Sequence, residues 1–88
     1  MSTKDHSRAG QPARQQTQAQ GALLRQAIHA AIAGGYLAGR EVSIGRVPGV
    51  IIGYNIVRRG RFAGHRYPLL VRTALGVTKC APAELELR

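Results

Sequence analysis

The sequence has few of the residues that build disulfide frameworks, acid–base sites or membrane spans. Its only cysteine is Cys80, which excludes an internal disulfide framework and favours a reducing compartment. Four residues are acidic, and no apolar stretch approaches the roughly 20 residues of a spanning helix. The first residues also lack the basic and apolar regions of a secretory signal. These absences predict a soluble, cytoplasmic protein of bacterial character.

The scarcity of acidic residues leaves a large positive charge. Thirteen basic residues give a net charge of +9 and a pI near 11.4, and all of them except Lys4 and Lys79 are arginines. In so short a chain, this balance favours association with nucleic acid, anionic lipid or an acidic protein surface. A GC-rich genome explains the Arg:Lys ratio as well as an anionic partner does. It explains the excess of basic over acidic residues less well.

The length of 88 residues and a hydrophobic content of 44% allow one domain with a marginal core. Residues 1–16 are polar and have no apolar periodicity, which predicts a disordered basic tail. Residues 17–88 are predicted to form a single domain.

An amphipathic helix is predicted over residues 18–33. Thr17 to Gln20 fit a capping box, and Gly34-Gly35 supplies a left-handed stop. The helix packs within the chain or, alternatively, pairs with another subunit through Leu24, Ile28 and Ile32. The helix is predicted because six residues form a single apolar stripe at helical spacing: Leu23, Leu24, Ala27, Ile28, Ala31 and Ile32.

After Gly39 the apolar period changes to that of strands. Pro48-Gly49 and Leu75-Gly76 are turn signals, and Gly53 predicts a bulge inside a β-branched run. Pro68 must lie at the start of a strand or on an unpaired edge. The predicted strands are residues 40–44, 50–57, 67–73, 77–80 and 85–87, with a helical turn at 82–84. The fold class is therefore α+β.

This order of elements resembles an SH3-like small β-barrel over residues 39–88. The resemblance is carried by residues 50–54, 67–71, 76–80 and 82–85. KOW and Tudor modules show a similar layout. The resemblance implies a five-stranded antiparallel barrel behind the helix, but no particular function.

Plasmid-type trimethoprim-resistant dihydrofolate reductases also resemble the chain, because they too place a bulged Ile-Val-Gly-aromatic strand before a variable loop. That family binds nicotinamide and folate through a Val-Gln-Ile-Tyr run on its fourth strand. The matching run here is Val77-Thr78-Lys79-Cys80, which keeps only the valine. The reductase activity is therefore not carried over.

The segment 58–66 has the densest positive charge of the chain, and it joins two predicted strands. Arginine forks suit phosphate, and aromatic rings offer stacking surfaces to unpaired bases. Alternatively, the segment is a solvated loop in which Tyr54 and Tyr67 belong to the core and Phe62 anchors the loop. The candidate nucleic-acid contacts are Arg58, Arg59, Arg61, Phe62, His65, Arg66, Arg72 and Lys79, with Arg40 and Arg46 as possible support.

Catalytic and metal sites are not expected. The carboxylates Asp5, Glu41, Glu84 and Glu86 are not placed as an acid–base pair, and Cys80 lacks a histidine at a suggestive spacing. The histidines, His6, His29 and His65, are dispersed and lack metal-ligand spacing.

We therefore predict a non-enzymatic nucleic-acid-binding module, without cofactor, that is a monomer or a homodimer through the helix. The alternatives are an adaptor whose loop binds an acidic protein, and an oligomeric reductase that forms a tetramer and binds NADPH. The sequence does not distinguish DNA from RNA.

Overall fold

The computed structural model describes residues 19–88, which form one helix and five strands. The predicted tail and the first half of the predicted capping box, Thr17 and Gln18, lie outside the described residues. The helix, α1, occupies residues 19–33. The strands are β1 (Glu41–Ile44), β2 (Val47–Tyr54), β3 (Leu69–Thr73), β4 (Gly76–Cys80) and β5 (Leu85–Leu87), with a 3-10 turn at Pro82–Glu84. The α+β class is confirmed.

The five strands form one antiparallel sheet in the order β4-β3-β2-β1-β5. Consecutive strands pair as hairpins, and only the last connection crosses the sheet to bring β5 beside β1. Within the described residues, β4 and β5 remain the two edges, and the sheet does not close on itself.

The helix ends where the sequence predicts, through a paired hydrogen-bond motif at its C-terminus. Gly35 has a φ of 92°, and its N–H donates to the carbonyl of Ile32 at 3.0 Å. The N–H of Tyr36 donates to the carbonyl of Ala31, also at 3.0 Å. This pattern satisfies two carbonyls of the last turn and needs a left-handed residue, a conformation that glycine adopts at little cost.

The predicted Pro48-Gly49 turn is wrong, because both residues lie inside β2. The chain reverses three residues earlier, at Gly45, whose φ is 60°. Pro48 is opposite Ser43 on β1, and pairing with β3 begins only at Gly49, so the missing N–H of Pro48 costs no hydrogen bond to β3. Gly49 occupies a position with no room for a side chain, because a Cβ would lie 2.8 Å from Cγ1 of Val71.

Several predicted strand limits also shift. The second strand ends at Tyr54 rather than residue 57, and the third begins at Leu69 rather than residue 67. The turn before β4 uses residues 74–75, and Gly76, with a φ of 122°, opens β4. The predicted bulge is confirmed, because the register between β2 and β3 shifts between Ile51 and Gly53.

The core lies on one face of the sheet, beneath the helix. The fully buried large side chains are Val42, Ile51, Leu69 and Val71, and Ala31 joins them from α1. Leu24 is also buried, so the helix packs within the chain. Its buried face is narrower than the predicted stripe, because Leu23 is 47% exposed and Ile32 is 41% exposed. These two residues flank the buried face on opposite sides.

None of the helices in residues 19–88 combines the length and the apolar character that crossing a bilayer requires.

Candidate nucleic-acid interface

The connection between β2 and β3 is organised by Asn55, a residue that the charge pattern does not identify. Its side chain is 2% exposed. Nδ2 donates to the carbonyls of Phe62 at 2.8 Å and Tyr67 at 3.0 Å, and Oδ1 accepts from the N–H of Val57 at 3.1 Å. One amide therefore joins the beginning, the middle and the end of the connection.

Backbone hydrogen bonds close the connection further. The N–H of Gly64 donates to the carbonyl of Val57 at 2.6 Å, and that of Tyr67 donates to the carbonyl of Ala63 at 3.0 Å. Ala63 is fully buried, and Gly64 is buried as well. We call residues 55–68 the basic loop. Its middle is packed into the protein, so the predicted alternative of a solvated loop applies only to its side chains at the surface.

The helix packs against the basic loop at Gly64. A Cβ on Gly64 would overlap the carbonyl oxygen of Asn55 and Cδ1 of Leu24. The absence of a side chain therefore allows helix and loop to approach each other. The buried residues of this part of the loop are Ala63 and Gly64, whereas the side chain of Phe62 is half-exposed.

The predicted cationic side chains of the basic loop are at the surface. Arg58, Arg59, Arg61 and Arg66 are exposed, and His65 is half-buried. Four guanidinium groups are therefore available to solvent or to a ligand within nine residues of chain.

Phe62 is 52% exposed and lies beside the edge strand β4. It lines a depression of about 270 Å³ with Val77, Thr78 and Lys79. Its ring centroid is 5.7 Å from that of Tyr67, and the two rings are inclined by 47°. The structure thus brings together an exposed aromatic ring from the loop and the only lysine of the described chain.

The structure places the two tyrosines, Tyr54 and Tyr67, in different surroundings. Tyr54 packs against the core, and its hydroxyl donates to the carbonyl of Tyr36 at 3.3 Å. Tyr67 is half-buried under Phe62. Of the three predicted aromatic residues, Phe62 is the one that offers a free face.

Arg72 is not grouped with the basic loop as closely as Lys79 is. It pairs with Val77 on β4 and with Val50 on β2, and Val50 in turn pairs with Glu41. Arg72 and Glu41 line the same depression of about 280 Å³, together with Arg88. A carboxylate therefore shares the surroundings of Arg72, which makes it a weaker candidate for anion contact.

The acidic residues of the described chain lie outside the basic loop. The three acidic residues of the described chain are on β1, the 3-10 turn and β5: Glu41, Glu84 and Glu86. The basic loop, β3 and β4 contain none. The carboxylates are not confined to the β5 edge, because Glu84 lies near enough to Cys80 of β4 to raise the pKa of its thiol.

One further cation approaches the basic loop from the helix. The Arg25 Nη1 atom lies 3.5 Å, and the Arg58 Nη1 atom 4.0 Å, from the position that a Cβ would occupy on Gly21. The sequence offered part of this signal, because Gly21 and Arg25 are one helical turn apart. It contained no sign that Arg58 would join them.

Cys80 is buried in the core, where burial raises the pKa of its thiol and the charge of Glu84 raises it further. It therefore has the properties of a small core residue rather than of a nucleophile. In residues 19–88, no group of three or more His, Cys, Asp or Glu side chains is placed to hold a metal ion.

We expect native Cys80 to react slowly with iodoacetamide at neutral pH, and at the rate of a free thiol in denaturant. We also expect stability to fall as pH rises above about 8.5, because the unfolded thiol then loses its proton before the folded one does. Timed alkylation followed by mass spectrometry, and chemical unfolding between pH 7 and 10, measure the two effects. A C80A variant should lose this part of the pH dependence, and an unchanged dependence would assign it to other groups.

Comparison with protein-family models, with curated proteins and with solved structures gives no match to this chain.

Proposed function

We propose that this protein is a non-enzymatic module that binds single-stranded nucleic acid through the basic loop and the adjacent part of β4. The observation that carries the proposal is the position of Phe62, half-exposed beside Lys79 on a loop that Asn55 holds in one shape. Base stacking on an aromatic ring contributes about 1–3 kcal/mol per base and tolerates any sequence.

The cations of this surface have the chemistry of phosphate contacts. Arg59, Arg61 and Arg66 are exposed on the same loop as Phe62, and Lys79 lines the depression beneath its ring. A strand whose base stacks on Phe62 would place its neighbouring phosphates within reach of these side chains. Because the loop is closed by internal hydrogen bonds, little of its conformational entropy remains to be lost on binding.

We also propose that the domain is a small SH3-like barrel. Cys80 on β4 and Leu85 beside β1 belong to one buried cluster although their strands are the two edges of the sheet. This supports a sheet curled strongly enough to bring its edges around a common core. The proposal leaves function open, since barrels of this shape serve many purposes.

In a binding titration with single-stranded oligonucleotides, we expect F62A to weaken affinity about tenfold and to leave the salt dependence unchanged. R61A should weaken affinity and reduce the slope of log K against log salt by about 0.7, the value for one single-strand phosphate contact. Fluorescence anisotropy over a series of salt concentrations measures both quantities.

Two variants serve as matched controls. L75A removes an exposed apolar side chain from the β3–β4 turn, and R88A removes an arginine beside Glu41. Both should bind within about twofold of the wild type. Absence of binding by the wild type at low salt would refute the proposal, and full binding by a variant with Arg58, Arg59, Arg61 and Arg66 all changed to Ala would place the site elsewhere.

Two experiments on the wild-type protein distinguish the alternative functions, an adaptor and a reductase. Capture of an acidic protein that survives nuclease treatment, together with no oligonucleotide binding, would identify the adaptor. Sedimentation as a tetramer with NADPH binding would identify the reductase.

A further inference from the structure

We propose that Arg25 and Arg58 together form a phosphate-binding pair above Gly21, which extends the interface from the basic loop onto the helix. The ligand is a phosphodiester of the bound strand, so this part of the inference rests on the proposed function. The pairing of the two arginines rests on the geometry of the helix and the loop alone.

The two arginines converge above Gly21, where an added Cβ would be in ordinary contact with both. The Nη1 atoms of Arg25 and Arg58 lie 3.5 Å and 4.0 Å from the position of a Cβ on this residue. Arg25 reaches that position because helical side chains point back towards the N-terminus, over the residue four positions earlier. Two oxygens of one phosphate, each accepting a hydrogen bond of about 2.8 Å, can span the gap between the two guanidinium groups.

The backbones that carry these arginines are held close together. Leu24, next to Arg25, packs against Gly64 of the basic loop. Val57, next to Arg58, is fixed by hydrogen bonds to Asn55 and Gly64. The fold therefore fixes the backbones from which the two exposed arginine side chains extend towards one point.

The guanidinium group is suited to this role because its planar fork donates paired hydrogen bonds to phosphate. No carboxylate of the described chain lies on α1 or the basic loop. The pair also differs from the other cations of the loop in joining residues that are far apart in sequence, so a phosphate bound there would contact helix and loop at once.

The test places a carboxylate between the two arginines. In G21D the aspartate occupies the phosphate position and forms an internal ion pair with Arg25 and Arg58. G21N introduces a neutral side chain of the same size and of similar helix propensity. A38D, in the exposed turn before β1, adds the same charge elsewhere. Thermal melts verify that all three variants fold.

Inorganic phosphate is the first probe. Its titration should shift the Nε–Hε resonances of Arg25 and Arg58 together and saturably in the wild type, in G21N and in A38D, but not in G21D. Changing each arginine to lysine in turn assigns the two resonances. If phosphate moves neither resonance, or moves only one of them, the pair is refuted.

A single-stranded oligonucleotide is the second probe. Its affinity should fall about tenfold in G21D, as expected from the loss of a charged contact, and about twofold or less in G21N and A38D. Equal affinity in G21D and A38D would refute the pair while leaving the proposed function intact. A wild type that binds phosphate at both arginines but no oligonucleotide would refute the proposed function and confirm the pair as a site for free phosphate.

Discussion

Replacing Gly64 by alanine should destabilise the protein by about 3 kcal/mol or more, which is a large part of the stability of so small a domain. The new Cβ would overlap the carbonyl oxygen of Asn55 on one side and Cδ1 of Leu24 on the other. The side chain of Leu24 can turn aside, but the carbonyl belongs to the backbone of Asn55, whose own N–H donates to the carbonyl of Pro68 at 2.9 Å. We expect the helix to separate from the basic loop.

Urea unfolding measured by circular dichroism gives the free energy of unfolding of G64A. G53A is the matched control, since a Cβ on Gly53 meets nothing closer than Cδ1 of Leu70 at 4.0 Å. Its φ is not positive, so its stability should change by about 1 kcal/mol or less. Equal stability of the two variants would show that the loop does not pack on the helix as described.

Replacing Asn55 by aspartate should also cost about 3 kcal/mol or more at neutral pH. The change keeps the size of the side chain but turns a donor of two hydrogen bonds into an acceptor that faces the carbonyls of Phe62 and Tyr67. Each unsatisfied buried group costs about 1–3 kcal/mol, and a buried charge costs more.

The pH dependence of N55D distinguishes this cause from a general loss of packing. Burial near two carbonyls favours the neutral carboxyl, whose folded pKa is then raised above the unfolded value of about 3.9. Stability should therefore recover partly as pH falls, because the protonated group can donate one of the lost hydrogen bonds. Q26E makes the same chemical change at an exposed helix position and should be nearly neutral. An N55D variant as stable as Q26E at pH 7 would contradict the role of Asn55.

Neither substitution removes a cation or Phe62, but only G64A separates the shape of the basic loop from its charge, because N55D adds a carboxylate. If the proposed function holds, G64A and N55D should lose oligonucleotide affinity as they lose the loop, whereas F62A should lose affinity while remaining folded.

Much of the secondary structure follows from local sequence. The helix stop depends on a glycine that can adopt a positive φ, and the bulge lies at a glycine within a β-branched run. The prediction of a turn at Pro48-Gly49 is wrong because the same dipeptide also suits the beginning of β2, where pairing with β3 has not yet started. The prediction extends the second strand beyond Tyr54, because β-branched Ile56 and Val57 continue the strand pattern. In the structure, Asn55 takes the backbone away from the ladder.

The candidate site was predictable in its charge but not in its construction. Arginine clustering identified the basic loop, and the sequence already favoured Phe62 over the two tyrosines as a contact, but Asn55 resembled any polar residue in a strand. Arg72 and Lys79 looked equivalent until the sheet placed one in a row with Glu41 and the other beside Phe62.

The sequence by itself determined the net charge, the α+β class, the order of the elements and the position of the charged connection, because these depend on composition and on contacts within a few residues. Only the tertiary structure decided that Phe62 lies beside Lys79, and that Arg25 meets Arg58 above Gly21. Those outcomes depend on packing between segments far apart in the chain, above all the close approach of Leu24, Asn55 and Gly64, and local periodicity contains no information about such an approach.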